Sequence, residues 1–119
     1  MNRTQLPTTR KSVTPRGKIG DWKIYFSIGL YANGQPGELF VNDIEGPQIG
    51  AGLKGLANQW AIAVSMLLQD GATVEELERK FSHARYEPNG PTDSATIHFA
   101  DSITDYVIRI MVQQFGEKA

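Results

Sequence analysis

A strict alternation of apolar side chains after Gly20 leaves few folds open to this chain. The apolar row is made of Trp22, Ile24, Phe26, Ile28 and Leu30. Side chains on a β-strand point to opposite faces in turn, so a period of two predicts a strand with one buried face. Asn33-Gly34 follows, a pair that accepts positive φ angles and favours a hairpin turn. The returning strand is expected at residues 38–42.

The segment from Ala51 onward changes to a helical period. Its apolar residues are Leu53, Leu56, Ala57, Trp60, Ala61, Val64, Leu67 and Leu68, which follow the i, i+3, i+4, i+7 pattern of a helix with one buried stripe. Ile62 and Met66 lie outside that stripe, so the helix is expected to be covered on two sides. Gly71 suits the position that ends the helix.

Two shorter helices follow. Thr73 and Glu76 have the spacing of a capping box that starts a helix ending near Ser82. Residues 96–99 are a candidate for a short third strand, and Ser102 is the expected N-cap of the last helix, which Gly116 ends. The predicted fold class is α+β, with a small antiparallel sheet covered on one face by three helices.

Composition limits the chemistry. The 119 residues contain no cysteine, which excludes disulfides, thiolate nucleophiles and zinc–cysteine sites. Hydrophobic residues make up 40% and charged residues 21%, as in an ordinary globular domain. The start has no apolar signal segment, so the expectation is a cytoplasmic protein that does not span a membrane.

The charges divide unevenly along the chain. Residues 1–18 carry five basic residues and no acid, whereas the rest of the chain has a net charge of −6. We expect residues 1–18 to form a basic, flexible leader, residues 19–116 a single domain and residues 117–119 a tail. A basic arm favours a solvated segment first, and contact with a phosphate-bearing or acidic partner second.

A glycine-rich turn precedes the long helix. Gly50 and Gly52 open it, and Lys54 follows in its first turn. Backbone N–H groups at a helix N-terminus attract anions, so these three residues are candidate phosphate contacts. The spacing resembles a dinucleotide fingerprint, but the hairpin before it and the helix after it are not a Rossmann unit. The alternative is that the glycines only permit close helix packing.

A polar loop supplies the other candidate contacts. Arg85 can hold a phosphate with two hydrogen bonds and Tyr86 can stack on a base, with Glu87 and Asn89 beside them. Arg85 and Glu87 could instead pair with each other. Ser102 and Asp105 are candidate ligand contacts as well as residues expected to start a helix.

The remaining polar residues indicate no catalytic set. His83 and His98 have structural explanations, and neither a Ser-His-Asp set nor a metal-ligand cluster can be argued from the sequence. We therefore expect no enzyme activity, no cofactor and no metal.

Five segments in this order resemble a known domain. They are residues 10–14, 31–40, 68–71, 80–90 and 101–106. Together they resemble the C-terminal accessory domain of adenosylcobalamin-dependent (class II) ribonucleotide reductases, named for a Thr-Ser-Cys-Pro-Asp motif. The matching stretch here is Ser102-Ile103-Thr104-Asp105, without the cysteine. Where the family shows Gly-Ser-Thr, this chain has Gly46-Pro47-Gln48.

The resemblance implies fold and ancestry without catalysis. In the reductases, the cobalamin and the radical chemistry belong to a separate barrel that this chain lacks. Two hypotheses follow. The first is a freestanding accessory domain that binds a nucleotide or similar anionic small molecule, to regulate nucleotide metabolism or sequester a nucleotide signal. The second is a separately encoded subunit of a split ribonucleotide reductase that docks onto the catalytic subunit.

The partners expected from these hypotheses are a small anionic ligand, other copies of the chain in a homo-oligomer, and a reductase subunit. Nucleic-acid binding is less favoured because it rests on the five charges of the leader alone.

Overall fold

The computed structural model describes residues 4–47 and 51–116. Its strands are β1 (Ser12–Val13), β2 (Arg16–Ile19), β3 (Trp22–Leu30), β4 (Pro36–Glu45), β5 (Gly90–Pro91) and β6 (Phe99–Ala100). Its helices are α1 (Ala51–Gln69), α2 (Val74–Phe81) and α3 (Ile103–Phe115). The predicted α+β class, with three helices and a small antiparallel sheet, is confirmed.

The main sheet is built around β3. The strand β4 pairs with one edge of β3, and both β1 and β2 pair with the other edge, all antiparallel. The β3–β4 hairpin is confirmed, and Gly34 has the positive φ of 83° that the turn requires. The register of the hairpin shifts at two places along β3, after Tyr25 and after Gly29.

Two strands lie in the stretch expected to be a flexible leader. In β2, the buried residues Gly17 and Ile19 alternate with the exposed residues Arg16 and Lys18. This is the period-two pattern of a strand with one buried face, but a glycine and two cations hide it in the sequence. The sheet therefore extends into residues 12–18.

The short strand near residue 99 does not join this sheet. Phe99–Ala100 pairs with Gly90–Pro91 in a separate two-stranded ladder. A bridge between Ile19 and Thr92 links this ladder to the end of β2. The third strand of the main sheet thus comes from the N-terminal side of the hairpin.

Helices cover the inner face of the sheet. α1 packs along β4, and α3 places Tyr106 edge-on against Phe26, with ring centroids 6.5 Å apart. The core is formed by Ile19, Ile24, Phe26, Ile28, Leu39, Val41, Ile44, Ala57, Ala61, Val64, Leu68, Val74, Leu77, Ile97, Ala100, Ile103, Tyr106, Val107, Ile108 and Met111.

The helix ends follow the predicted signals. Gly71 has a φ of 104° after α1, and Thr73 and Glu76 form the reciprocal hydrogen bonds of a capping box. The pKa of Glu76 is lowered because its carboxylate accepts hydrogen bonds from the backbone N–H and the hydroxyl of Thr73.

No helix in the described part of the chain is long and apolar enough to cross a membrane.

Candidate functional site

The start of α3 is organised by a buried carboxylate. Ser102 is the N-cap, and its Oγ accepts a hydrogen bond from the backbone N–H of Asp105 at 3.2 Å. Asp105 is fully buried and accepts hydrogen bonds from the backbone N–H of His83 at 2.7 Å and of Asp101 at 2.9 Å. Arg109 adds a guanidinium contact at 3.2 Å. Both Ser102 and Asp105 are fully buried, and their hydrogen bonds join the start of α3 to the residues around it.

His83 and two aspartates lie close together beside this helix start. The Nδ1 of His83 is 3.1 Å from Asp101 and 3.8 Å from Asp105, and the three groups offer ligand atoms within 4.8 Å of one another. The oxygens of Asp105 already accept three hydrogen bonds, one of them from Arg109. Arg109 therefore places a positive charge beside one oxygen of Asp105. The arrangement positions the loop before α3, including His83 with its φ of 62°.

Two of the loop residues predicted to bind a ligand, Arg85 and Tyr86, contact the same helix start. The guanidinium of Arg85 is 4.0 Å from a carboxylate oxygen of Asp101 and 5.7 Å from the ring centre of Phe99. The hydroxyl of Tyr86 donates a hydrogen bond to Thr104 at 2.7 Å. Glu87 is exposed and Asn89 half-buried. The ion pair of Arg85 is therefore with Asp101 and not with Glu87.

The candidates at the start of α1 are arranged differently. Gly50 lies outside the described residues. Gly52 is exposed, and a side chain added there would meet no atom within 4 Å. The ammonium of Lys54 is 3.1 Å from the carboxylate of Asp43, and its hydrogen bond lowers the pKa of Asp43 despite the opposing effect of burial. No described cavity or contact joins these residues to Arg85 and Tyr86, so the predicted contacts form two separate groups.

A basic hollow that the sequence reasoning missed lies on the outer face of the sheet. It has a volume of about 260 Å³ and is lined by Arg16, Gly17, Lys18, Lys23, Tyr25 and Asp93. Arg16 faces Tyr25 and Lys18 faces Lys23 across the antiparallel pair of β2 and β3. We call this feature the basic hollow.

The charges of the basic hollow are unbalanced. Across the described residues, no carboxylate lies within 4.0 Å of the charged nitrogens of Arg16, Lys18 or Lys23. Asp93 brings one negative charge, and its Oδ1 accepts a hydrogen bond from the backbone N–H of Lys18 at 2.8 Å. Like charges directly opposite each other destabilise a sheet, so the Lys18–Lys23 pair has a cost that a bound anion would remove.

Gly17, which lines the basic hollow, packs against Tyr106 of α3 on the inner side of the sheet. A side chain at Gly17 would meet the hydroxyl oxygen of Tyr106 at 1.8 Å, so only glycine allows this close contact. The pKa of Tyr106 is raised by burial first and by the charge of Asp93 second. The basic hollow is thus held by the core of the domain. Its sequence signal is the alternation of Arg16-Gly17-Lys18-Ile19.

A larger groove of about 1000 Å³ runs between residues 4–7, the β3–β4 turn and the ends of the helices. Leu68 and Phe115 give it apolar walls, and Tyr31 also lines it. The pKa of Tyr31 is raised by burial and by the charge of Glu38. Glu75 is the charged residue among the described lining residues, so the groove does not suit a phosphate.

Comparison with known proteins identifies a domain family and several relatives. The TSCPD domain matches residues 2–115. The vitamin B12-dependent ribonucleotide reductase of Rhodopirellula baltica is 39% identical over 108 residues, which cover 90% of this chain and 10% of that enzyme. The corresponding enzyme of Bradyrhizobium diazoefficiens is 39% identical over 90% of this chain and 8% of its own length. That of Streptomyces avermitilis is 33% identical over 95% and 11%.

The chain spans about a tenth of the length of these relatives. No solved structure matches it significantly.

The stretch Ser102-Ile103-Thr104-Asp105 lies at the start of α3. Ser102 is the N-cap of α3 and Asp105 is its buried carboxylate. Ile103, which lies between them, is only 1% exposed and belongs to the core. With the match over residues 2–115, the chain belongs to the TSCPD domain family, and it is related to the accessory domain of B12-dependent ribonucleotide reductases.

Proposed function

We propose that this domain binds a phosphate-bearing small molecule, such as a nucleotide, without converting it. The observation that carries the proposal is the basic hollow, where Arg16, Lys18 and Lys23 lie together without an ion-pair partner in the described structure. A guanidinium and two ammonium groups supply charge-assisted hydrogen bonds to phosphate oxygens.

The dimensions of the basic hollow support a phosphate group as the part that enters it. Its volume of about 260 Å³ is below the about 300–1000 Å³ of pockets that enclose a whole small ligand. The rest of the ligand therefore lies along the outer face of the sheet, where Tyr25 is half-buried and offers a ring for contact.

Calorimetric titration of the chain with ATP, and separately with inorganic tripolyphosphate, tests this proposal. Both probes are expected to bind. Lys18→Gln and Lys23→Gln should each weaken binding about tenfold, or about 1.4 kcal/mol, because each removes a charge-assisted hydrogen bond. Lys80→Gln is the matched control, because Lys80 is an exposed lysine on α2.

Equal affinities for the wild type and Lys23→Gln would refute this assignment, as would failure of both probes to bind at about millimolar concentration. Arg85→Ala separates the two sites. If it weakens binding by about 1–3 kcal/mol while Lys23→Gln has no effect, the ligand lies at the loop before α3.

A second candidate function is docking onto a ribonucleotide reductase. It is favoured by the relatives, in which the matched segment is about a tenth of a much longer enzyme. This function predicts co-elution of the chain with a reductase catalytic subunit in size-exclusion chromatography, and no measurable affinity for ATP. Separate elution of the two proteins would contradict it.

A further inference from the structure

The outer side of α1 is apolar and faces away from the core. Leu56 is 71% exposed, Ile62 44%, and Met66 and Leu67 38% each. Lys54 is the only charged residue in this helix of 19 residues, and it lies in the first turns. A surface helix normally has a polar outer face, so this one departs from the usual pattern.

The other residues on the same side are small or uncharged. Gly52, Gly55, Gln59 and Ala63 are all exposed, and their spacing of three and four residues places them on one face with Ile62 and Met66. Together with Leu56 and Leu67, we call these residues the outer α1 face.

Nothing in the described residues accounts for the glycine at position 55 of α1. A side chain added at Gly55 would meet no atom within 4 Å, so no neighbouring element requires a glycine there. Glycine inside a helix costs about 0.5–1 kcal/mol relative to alanine. A second molecule that packs closely against the helix backbone at this position would account for a glycine there, because any side chain would keep the two apart.

We propose that the outer α1 face binds a second copy of this chain, with the two α1 helices antiparallel across a two-fold axis that passes near Gln59. A two-fold contact needs a surface that complements itself, since the same residues meet on both sides. An uncharged apolar face meets this condition because no charge is desolvated and no like charges are brought together.

A register centred on Gln59 places the middle of the outer α1 face on the axis. Residues equally distant from position 59 then lie at the same height on the two helices, so Gly52 is level with Met66 and Leu56 with Ile62. Gly55 is level with Ala63, and these two small residues let the helix backbones approach closely. The two Gln59 amides meet at the axis, and an amide group both donates and accepts, so the pair satisfies itself.

The same charge pattern favours a copy over a different partner. Elsewhere the surface carries charges that a foreign partner would complement, such as the three cations of the basic hollow. The outer α1 face offers none, and its polar centre is the self-complementary Gln59. This interface lies apart from the residues that line the basic hollow and does not depend on the function proposed for it.

Sedimentation equilibrium of the complete chain tests the proposal. The wild type is expected at twice the mass of the 13.2-kDa chain, and Ile62→Glu at the mass of one chain, because two glutamates would be buried near the axis. Phe40→Glu is the matched control, since Phe40 is 43% exposed, nearly the same as Ile62, but lies on the sheet. This control should remain dimeric.

Cysteine cross-linking provides a second measurement that does not depend on a destabilising change. The natural chain has no cysteine, so a single one reports a single contact. Gln59→Cys should form a covalent dimer on mild oxidation, and Asn58→Cys, on the neighbouring side of the helix, should not.

Three results would overturn the proposal. The first is a wild type that sediments as a single chain at all concentrations. The second is a dimer that survives Ile62→Glu and does not cross-link at position 59. The third is a monomer in which Ile62→Glu abolishes binding to a reductase catalytic subunit, which would assign the face to that partner.

Discussion

The buried carboxylate of Asp105 allows a sharp test of how the motif works. Replacing Asp105 with asparagine preserves the size of the side chain but removes the charge and converts one acceptor oxygen into an N–H₂ donor. In the wild type, the two carboxylate oxygens accept hydrogen bonds from the backbone of His83, the backbone of Asp101 and the side chain of Arg109.

The cost follows from these three contacts. The best orientation of the asparagine keeps its oxygen toward Asp101 and Arg109, which leaves its N–H₂ group facing the N–H of His83. An unsatisfied buried donor costs about 1–3 kcal/mol. The two remaining hydrogen bonds lose the contribution of an ionised acceptor, which adds about 1 kcal/mol. We expect Asp105→Asn to lower the free energy of unfolding by about 2–4 kcal/mol.

Urea denaturation followed by far-UV circular dichroism measures this change. The domain should remain folded in water, because total stabilities of about 5–15 kcal/mol are usual. Asp21→Asn is the matched control, as Asp21 is an exposed aspartate at the β2–β3 turn, and it should change stability by less than about 0.5 kcal/mol. A value for Asp105→Asn within that same range would refute the structural role assigned to this carboxylate.

Three further predictions follow from individual contacts. Gly17→Ala should lower the free energy of unfolding by about 1–3 kcal/mol, because its Cβ would overlap the hydroxyl of Tyr106. Gly55→Ala, measured by urea denaturation in dilute solution, should instead raise the free energy of unfolding by about 0.5–1 kcal/mol. Equal effects of the two substitutions would contradict the roles assigned to both glycines. The raised pKa of Tyr106 means that its neutral form stabilises the fold below about pH 10, and that this stability is lost as the pH rises through the folded-state pKa. Tyr106→Phe should therefore show a shallower loss of stability above pH 10, and an unchanged slope would contradict the prediction. Lys54→Met should raise the pKa of Asp43, since the hydrogen bond from Lys54 is the main cause of its lowering; a carboxyl titration by NMR that shows no rise would disprove this.

Local signals in the sequence predicted the helices and the main hairpin well. Thr73 and Glu76 mark the start of α2, and Ser102 marks the start of α3, because capping depends on residues three positions apart in the chain. The same local reasoning misplaced the strand expected at residues 96–99. Its partner, Gly90–Pro91, follows a turn-rich loop whose path is not set by the residues in the strand itself.

The arrangement of the candidate site depends on contacts between distant segments of the chain. Arg85, Tyr86, Ser102 and Asp105 lie around one helix start. The spacing of these residues along the chain does not indicate which of them are buried or which distant residues they contact.

By itself, the sequence determined the fold class, the family and the local starts and ends of helices, since these depend on periodicity and on short-range hydrogen bonds. Only the tertiary structure decided that Arg16 and Lys18 belong to a strand, and that this strand sets Lys18 opposite Lys23. It also decided which side of α1 stays exposed. Strand register and helix orientation arise from packing between residues far apart in the chain, and no local pattern specifies which charges or apolar faces remain without a partner.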